Sequence, residues 1–130
     1  MKKLITLLCI TALMVSCAKE QKGEVKLVSP EEMQALIESE DVQLVDVRTP
    51  EEYSAEYIAH SQNIDYSSPT FEDDIKDLDK SKPVVLYCRS GGRSAKCAKK
   101  LKDAGFVKIY DLDGGISKWK HKGLEVKAKS

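Results

Sequence analysis

One run of seven residues concentrates the groups that could do chemistry: Cys88, Arg89, Ser90, Gly91, Gly92, Arg93 and Ser94, placed directly after the apolar stretch VVLY. A cysteine at its reference pKa of about 8.5 is only a few per cent ionised at neutral pH, whereas a drop of roughly two units makes most of it a thiolate, the nucleophilic form. The six residues after Cys88 supply the means for such a drop. Two glycines permit the backbone to curl so that its N–H groups converge, and a helix opening near Ser94 adds the partial positive charge of its N-terminus. Arg89 and Arg93 add two guanidinium groups suited to pairing with oxyanions. A thiolate inside an anion cradle points to covalent attack on a substrate that is itself an anion, and it requires Cys88 to be both ionised and reachable.

These residues must be positioned by the elements around them. VVLY is apolar and β-branched enough for a buried strand, as are VQLVDV at 42–47 and VKIYDL at 107–112. Between them lie helix-start signals: Ser29-Pro30-Glu31-Glu32 and Thr49-Pro50-Glu51-Glu52 each read as an N-cap, a proline at the first helical position and a glutamate completing a capping box. Phe71, Ile75 and Leu78 recur at helical spacing, and a helix from Ser94 to Ala104 is stopped by Gly105. Alternating strands and helices predict an α/β fold with a mainly parallel central sheet covered by helices on both faces. In such sheets ligands bind beyond the carboxyl ends of the strands, where Cys88 falls.

Two further positions near that rim are candidates for support. Asp46 ends the strand expected beside VVLY, where its carboxylate would orient an arginine of the loop, and Arg48 stands two residues on. Glu51, Glu52 and the acids at 72–74 read as helix caps and a solvated face. Cys97 shares a helix face with Leu101 and Ala104 and reads as a small core residue; a redox partnership or disulfide with Cys88 would need it to reach across the loop. Gly114 and Gly115 read as a turn, and Trp119 as core.

Three stretches in this order carry a resemblance. CRSGGR, from Cys88 to Arg93, is similar to the six-residue active-site loop of the rhodanese-like sulfurtransferases; DVRTPEEYSAEYIAHSQNI at 46–64 and VKIYDLDGGISKW at 107–119 are similar to two flanking motifs of that family. The likeness spans roughly residues 26–122. It implies a two-step sulfur transfer in which Cys88 attacks the outer sulfur of a donor such as thiosulfate, sulfite leaves, and the persulfide passes its sulfur to a thiol or cyanide acceptor. Arg89, Ser90, Gly91, Gly92, Arg93 and Ser94 would bind the donor, with Asp46 and Arg48 supporting them. No metal or organic cofactor is expected: the cysteines lack paired zinc-type spacing, and His60 and His121 fall in no ligand pattern. One departure concerns the loop at 56–60, where the family commonly has a glycine and this chain has Glu56.

Two other readings are set against this one. Cysteine-loop phosphatases and arsenate reductases use a similar loop but place five residues between cysteine and arginine, one more than separates Cys88 from Arg93. A non-catalytic rhodanese-like binding module would not need a thiol flanked by cations.

The N-terminus reads differently from the rest. Lys2 and Lys3 precede an uncharged run from Leu4 to Val15, too short to span a bilayer but suited to an export signal. LMVSC resembles a bacterial lipoprotein cleavage site, with Met14 where leucine is usual, and implies lipidation of Cys17. The expected organisation is a signal peptide at 1–16, a polar tether at 17–25 and one domain at 26–126. The expected location is a bacterial membrane, held by lipid and facing the periplasm, or alternatively the periplasm as a soluble protein. Basic and acidic residues balance at 21 each, which argues against a nucleic-acid partner.

Overall fold

The computed structural model describes residues 23–129. The expected export signal and Cys17 lie outside that range. Five strands form one sheet: β1 (Glu24–Val28), β2 (Gln43–Asp46), β3 (Gln62–Asn63), β4 (Val84–Tyr87) and β5 (Lys108–Leu112), in the order β1-β5-β4-β2-β3 with every pairing parallel. The α/β class is as the alternation of strand and helix patterns requires. All four residues of β4 are buried, because it is the central strand and both its faces are covered.

The two faces are assigned by strand alternation. Val84, Leu86 and Cys88 point into a core shared with α3 (Phe71–Asp74) and α4 (Gly92–Asp103), which contributes Cys97, Ala98 and Leu101. Val85 and Tyr87 point the other way, into a core with Met33 of α1 (Pro30–Ser39) and with Ile116 and Trp119 of α5 (Gly115–His121). The remaining helix, α2 (Pro50–Ala55), follows β2 at the carboxyl rim.

Both capping boxes form. Ser29 Oγ accepts from Glu32 N at 3.0 Å, and Thr49 Oγ1 accepts from Glu52 N at 3.3 Å, with Pro30 and Pro50 at the first helical positions. The helical stretch at 71–79 departs from expectation: Phe71, Ile75 and Leu78 are all buried, but α3 lasts a single turn and passes into a 3-10 turn at Ile75–Asp77. Glu24 and Val25, expected in the tether, belong to β1, and Lys127 exchanges two backbone hydrogen bonds with Tyr57, so the folded unit extends past 26–126 at both ends.

Candidate active site

The chain leaves β4 at Cys88 and enters α4 at Gly92, so the loop is a strand-to-helix turn at the carboxyl edge of the central strand. Gly91 is the residue before α4 and has φ 118°, a left-handed conformation that other residues rarely adopt. No side chain caps this helix. Its leading donors turn instead toward the sulfur: Gly91 N–H donates to Cys88 Sγ at 3.0 Å, and Ser94 Oγ lies 3.4 Å from the same atom. Burial by itself would push the Cys88 thiol up. The Ser94 hydroxyl and the backbone N–H groups of Ser94, Gly91 and Ser90 outweigh it, and the pKa falls below that of an ordinary cysteine.

The loop is held from outside by α5. Ile116 N–H donates to the Cys88 carbonyl at 2.9 Å and Ser117 N–H to the Arg89 carbonyl at 3.1 Å, which turns those carbonyls away from the sulfur. Gly115 makes this approach possible: a Cβ there would lie 2.5 Å from the Cys88 carbonyl oxygen and 2.6 Å from Arg89 backbone atoms. The paired glycines thus form more than a turn. Gly115 lets the start of α5 lie directly on the backbone of the loop.

An open cleft of about 470 Å3 lies beside the loop, with Arg89, Ile116, Ser117 and Lys120 on one side and Arg48, Glu52, Ala55 and Glu56 on the other. Cys88 is not among its lining residues and exposes only 1% of its surface, so the openly reachable thiol that the sequence predicts is not found. The reason is geometric. The donors that stabilise the sulfur anion also enclose it.

Residues 29–122 match the rhodanese-like domain family. The chain belongs to that family. Among its relatives, the thiosulfate sulfurtransferase GlpE of Pseudomonas fluorescens is 38% identical over 98 residues, covering 75% of this chain and 87% of GlpE. The protein YqhL of Bacillus subtilis is 33% identical and covers 99% of both chains. Of solved structures, a rhodanese-like domain protein from Staphylococcus aureus superposes with a TM-score of 0.70 at 32% identity, over 81% of this chain and 99% of its own.

Within this rhodanese-like site, some expected roles are redistributed. Asp46 does not reach a loop arginine. Its carboxylate accepts from Arg48 Nη2 at 2.6 Å and from Nε and the Arg48 backbone N–H, forming a buried pair at the strand end. That pair closes locally because two residues of one strand end leave the guanidinium free to fold back. Arg48 then donates to the Glu56 carbonyl at 2.6 Å, while the Tyr87 hydroxyl accepts from Ile58 N–H at 3.0 Å and bonds Ser61 Oγ at 3.0 Å. These bonds shape the 56–60 loop without a glycine: Glu56 is extended at φ −161°, and the left-handed residue is His60, at φ 68°.

The loop arginine is held by Glu52, a residue that the sequence marks only as a cap. Arg93 donates to both its carboxylate oxygens, at 2.6 and 2.8 Å, and this pairing is the first cause of the fall in the Glu52 pKa to about 2. Arg89 and Ser90 are exposed at the loop's outer edge, and a Cβ at Gly91 or Gly92 would meet nothing within 4 Å, so that edge faces open space. Glu52, Glu56, Lys120 and the amides of Ile116 and Ser117 are the site residues that sequence reasoning missed. Their only local signal is the paired glycines. Cys97 is a free, buried thiol of the α4 core, as its helical face indicates, and burial pushes it up to about 12.

Proposed function

We propose that the protein is a sulfurtransferase that carries sulfane sulfur on Cys88, taking it from thiosulfate or a related anionic donor. The observation that carries this reading is the short bond from Gly91 N–H to Cys88 Sγ, made by an uncapped helix start with the Ser94 hydroxyl beside it. In the first step the donor reaches the enclosed sulfur past the open outer edge of the loop at Gly91 and Gly92, and the thiolate attacks the donor's outer sulfur. The new S–S bond forms as the donor's own S–S bond breaks, its electron pair leaving with sulfite. In the second step a thiol or cyanide attacks the outer sulfur of the persulfide, and the electron pair of the Cys88 S–S bond returns to Sγ. Converging loop amides stabilise the terminal sulfur anion of the persulfide as they do the thiolate. Arg89, at the mouth of the cleft, is placed to meet the donor's sulfonate oxygens. The protein is exported and held at a bacterial membrane through lipid on Cys17.

Mass spectrometry of the Cys88 peptide after thiosulfate treatment tests the reading, with a gain of one sulfur expected. Cys88→Ser should lose both the adduct and thiocyanate formation from cyanide, while Cys97→Ala should keep both. An unmodified Cys88 peptide in folded protein counts against sulfur transfer, and release of phosphate from an aryl phosphate would place the loop with the phosphatases instead. Metabolic labelling with a fatty acid tests the anchor: it should vanish in Cys17→Ala.

A further inference from the structure

A side-chain contact crosses the cleft beside the loop. Lys120, on the last turn of α5, donates from Nζ to Glu56 Oε1 at 2.8 Å, and the two residues stand on opposite walls, 64 positions apart in sequence. The cleft's volume of about 470 Å3 falls among pockets that hold whole organic ligands, roughly 300–1,000 Å3, so size alone does not confine it to a donor as small as thiosulfate. The bridge does confine it.

Its two ends differ in freedom. Glu56 is a fixed post: its N–H donates to the Glu52 carbonyl at 3.3 Å, and its own carbonyl accepts from Arg48 Nη2 at 2.6 Å. The next residue, Tyr57, exchanges backbone hydrogen bonds of 2.7 and 2.8 Å with Lys127. Lys120 is the movable arm, a four-carbon stem whose ammonium can swing aside without disturbing the backbone. The neighbouring lysines are committed elsewhere, Lys118 to Asp113 at 2.8 Å and Lys122 to Glu31 at 3.8 Å. The side chains of Lys120 and Glu56 are 46% and 32% exposed, and a pair so exposed shifts an equilibrium by only a few-fold. It can tip a choice between substrates without locking the site.

We infer that Lys120 and Glu56 are specificity-determining residues: their ion pair bars the cleft to a substrate with a large body, so donor and acceptor are small solutes and a cysteine carried on a protein chain is disfavoured. The inference rests on the sulfurtransferase reading for the identity of its substrates. Among the described residues Arg89 enters no ion pair, so it stays available to a small anion while the bar is closed. A thiol on a peptide brings its neighbouring residues into the cleft, where the bridge stands.

Two measurements on the full-length protein test this. The first compares kcat/KM for two acceptors of the same thiol chemistry, N-acetylcysteinamide and a blocked, uncharged peptide with one central cysteine. The parent should prefer the small thiol. Lys120→Ala and Glu56→Ala should each cut that preference about three- to fivefold, the scale of an exposed ion pair, and the charge exchange Glu56→Lys with Lys120→Glu should restore it. Concentrated salt should lower the preference in the parent more than in the single variants. A preference unmoved by the single changes, a charge exchange no more selective than they are, or a parent indifferent to salt would each overturn the bar. The second measurement, by mass spectrometry, compares how fast iodoacetamide and a polyethylene glycol maleimide label the Cys88 peptide in the same proteins. The ratio should shift toward the bulky reagent in the single variants and return in the exchange. A sulfur that neither reagent reaches in any of these proteins would also overturn the inference, because the cleft would then not lead to it. Labelling requires no persulfide, so a protein that takes no sulfur from thiosulfate loses the sulfurtransferase reading while the labelling ratio still decides the bar. Where an alanine variant fails to fold, Lys120→Met or Glu56→Gln takes its place.

Discussion

Arg93 and Glu52, 41 residues apart in sequence, meet at the mouth of the site with two parallel hydrogen bonds of 2.6 and 2.8 Å. The contact joins the start of α4 to the start of α2, and it places a negative charge in the cleft where the proposed anionic donor would bind. Glu52→Gln should therefore lower the KM for a dianionic donor several-fold by removing that charge and releasing Arg93. The stability cost should stay below about 1 kcal/mol, since both side chains are about one-third exposed. Steady-state kinetics decide the matter. A raised KM would mean that the pair serves to aim Arg93.

The same pair sets an acid limit. Glu52 is lowered from the ordinary 4.5 to about 2, so its folded-state value lies below its unfolded one. The stabilisation it gives is complete above the unfolded value and drains away as pH falls toward the folded one. Thermal melts of the parent and Glu52→Gln should differ at pH 6 and converge as the pH is lowered toward 2. Asp111 acts in the opposite sense: its folded-state value is raised, so its contribution is present in acid and declines as it ionises.

Gly115→Ala is expected to be among the most damaging single-atom additions in the chain. Its Cβ would strike Cys88 and Arg89 backbone at 2.5–2.6 Å, and no side-chain rotation relieves a backbone contact. The φ of 59° adds strain. The variant should lose transfer activity even where circular dichroism shows a folded protein, because the carbonyls that α5 now holds outward would be displaced. Unchanged thiosulfate kinetics would show the loop to be shaped without α5.

Tyr87→Phe separates scaffold from chemistry. The hydroxyl it removes satisfies Ile58 N–H and Ser61 Oγ beneath the 56–60 loop. Leaving that buried N–H unpaired should cost about 1–3 kcal/mol in urea denaturation. At temperatures well below melting kcat should change little, since the ring is on the face opposite Cys88.

Much of this architecture is readable from local pattern. Cys88 at a strand end, the two capping boxes and the α4 core face of Cys97 depend on residues within one or two turns of each other, and all appear in the structure. Longer-range relations are not readable in the same way. Glu52 looks locally complete as a cap, and nothing nearby discloses that its carboxylate also serves Arg93. Asp46 looks available to the loop because the sequence does not reveal that Arg48 folds back on it. Alternation along VKIYDL places Asp111 opposite Tyr110, but only the packing of the helices shows that its face is the one α4 covers. The enclosure of the sulfur is also hidden, because a sequence names donors without giving their crowding.

The parallel sheet has a consequence for how the molecule meets its surroundings. β1 begins at Glu24 and runs in the same direction as β4, so the chain enters the domain at the end of the sheet opposite the one that carries Cys88. A five-residue strand is about 17 Å long. The described chain therefore joins the sheet at the end farthest from Cys88, and a group attached there would lie about a strand's length from the sulfur.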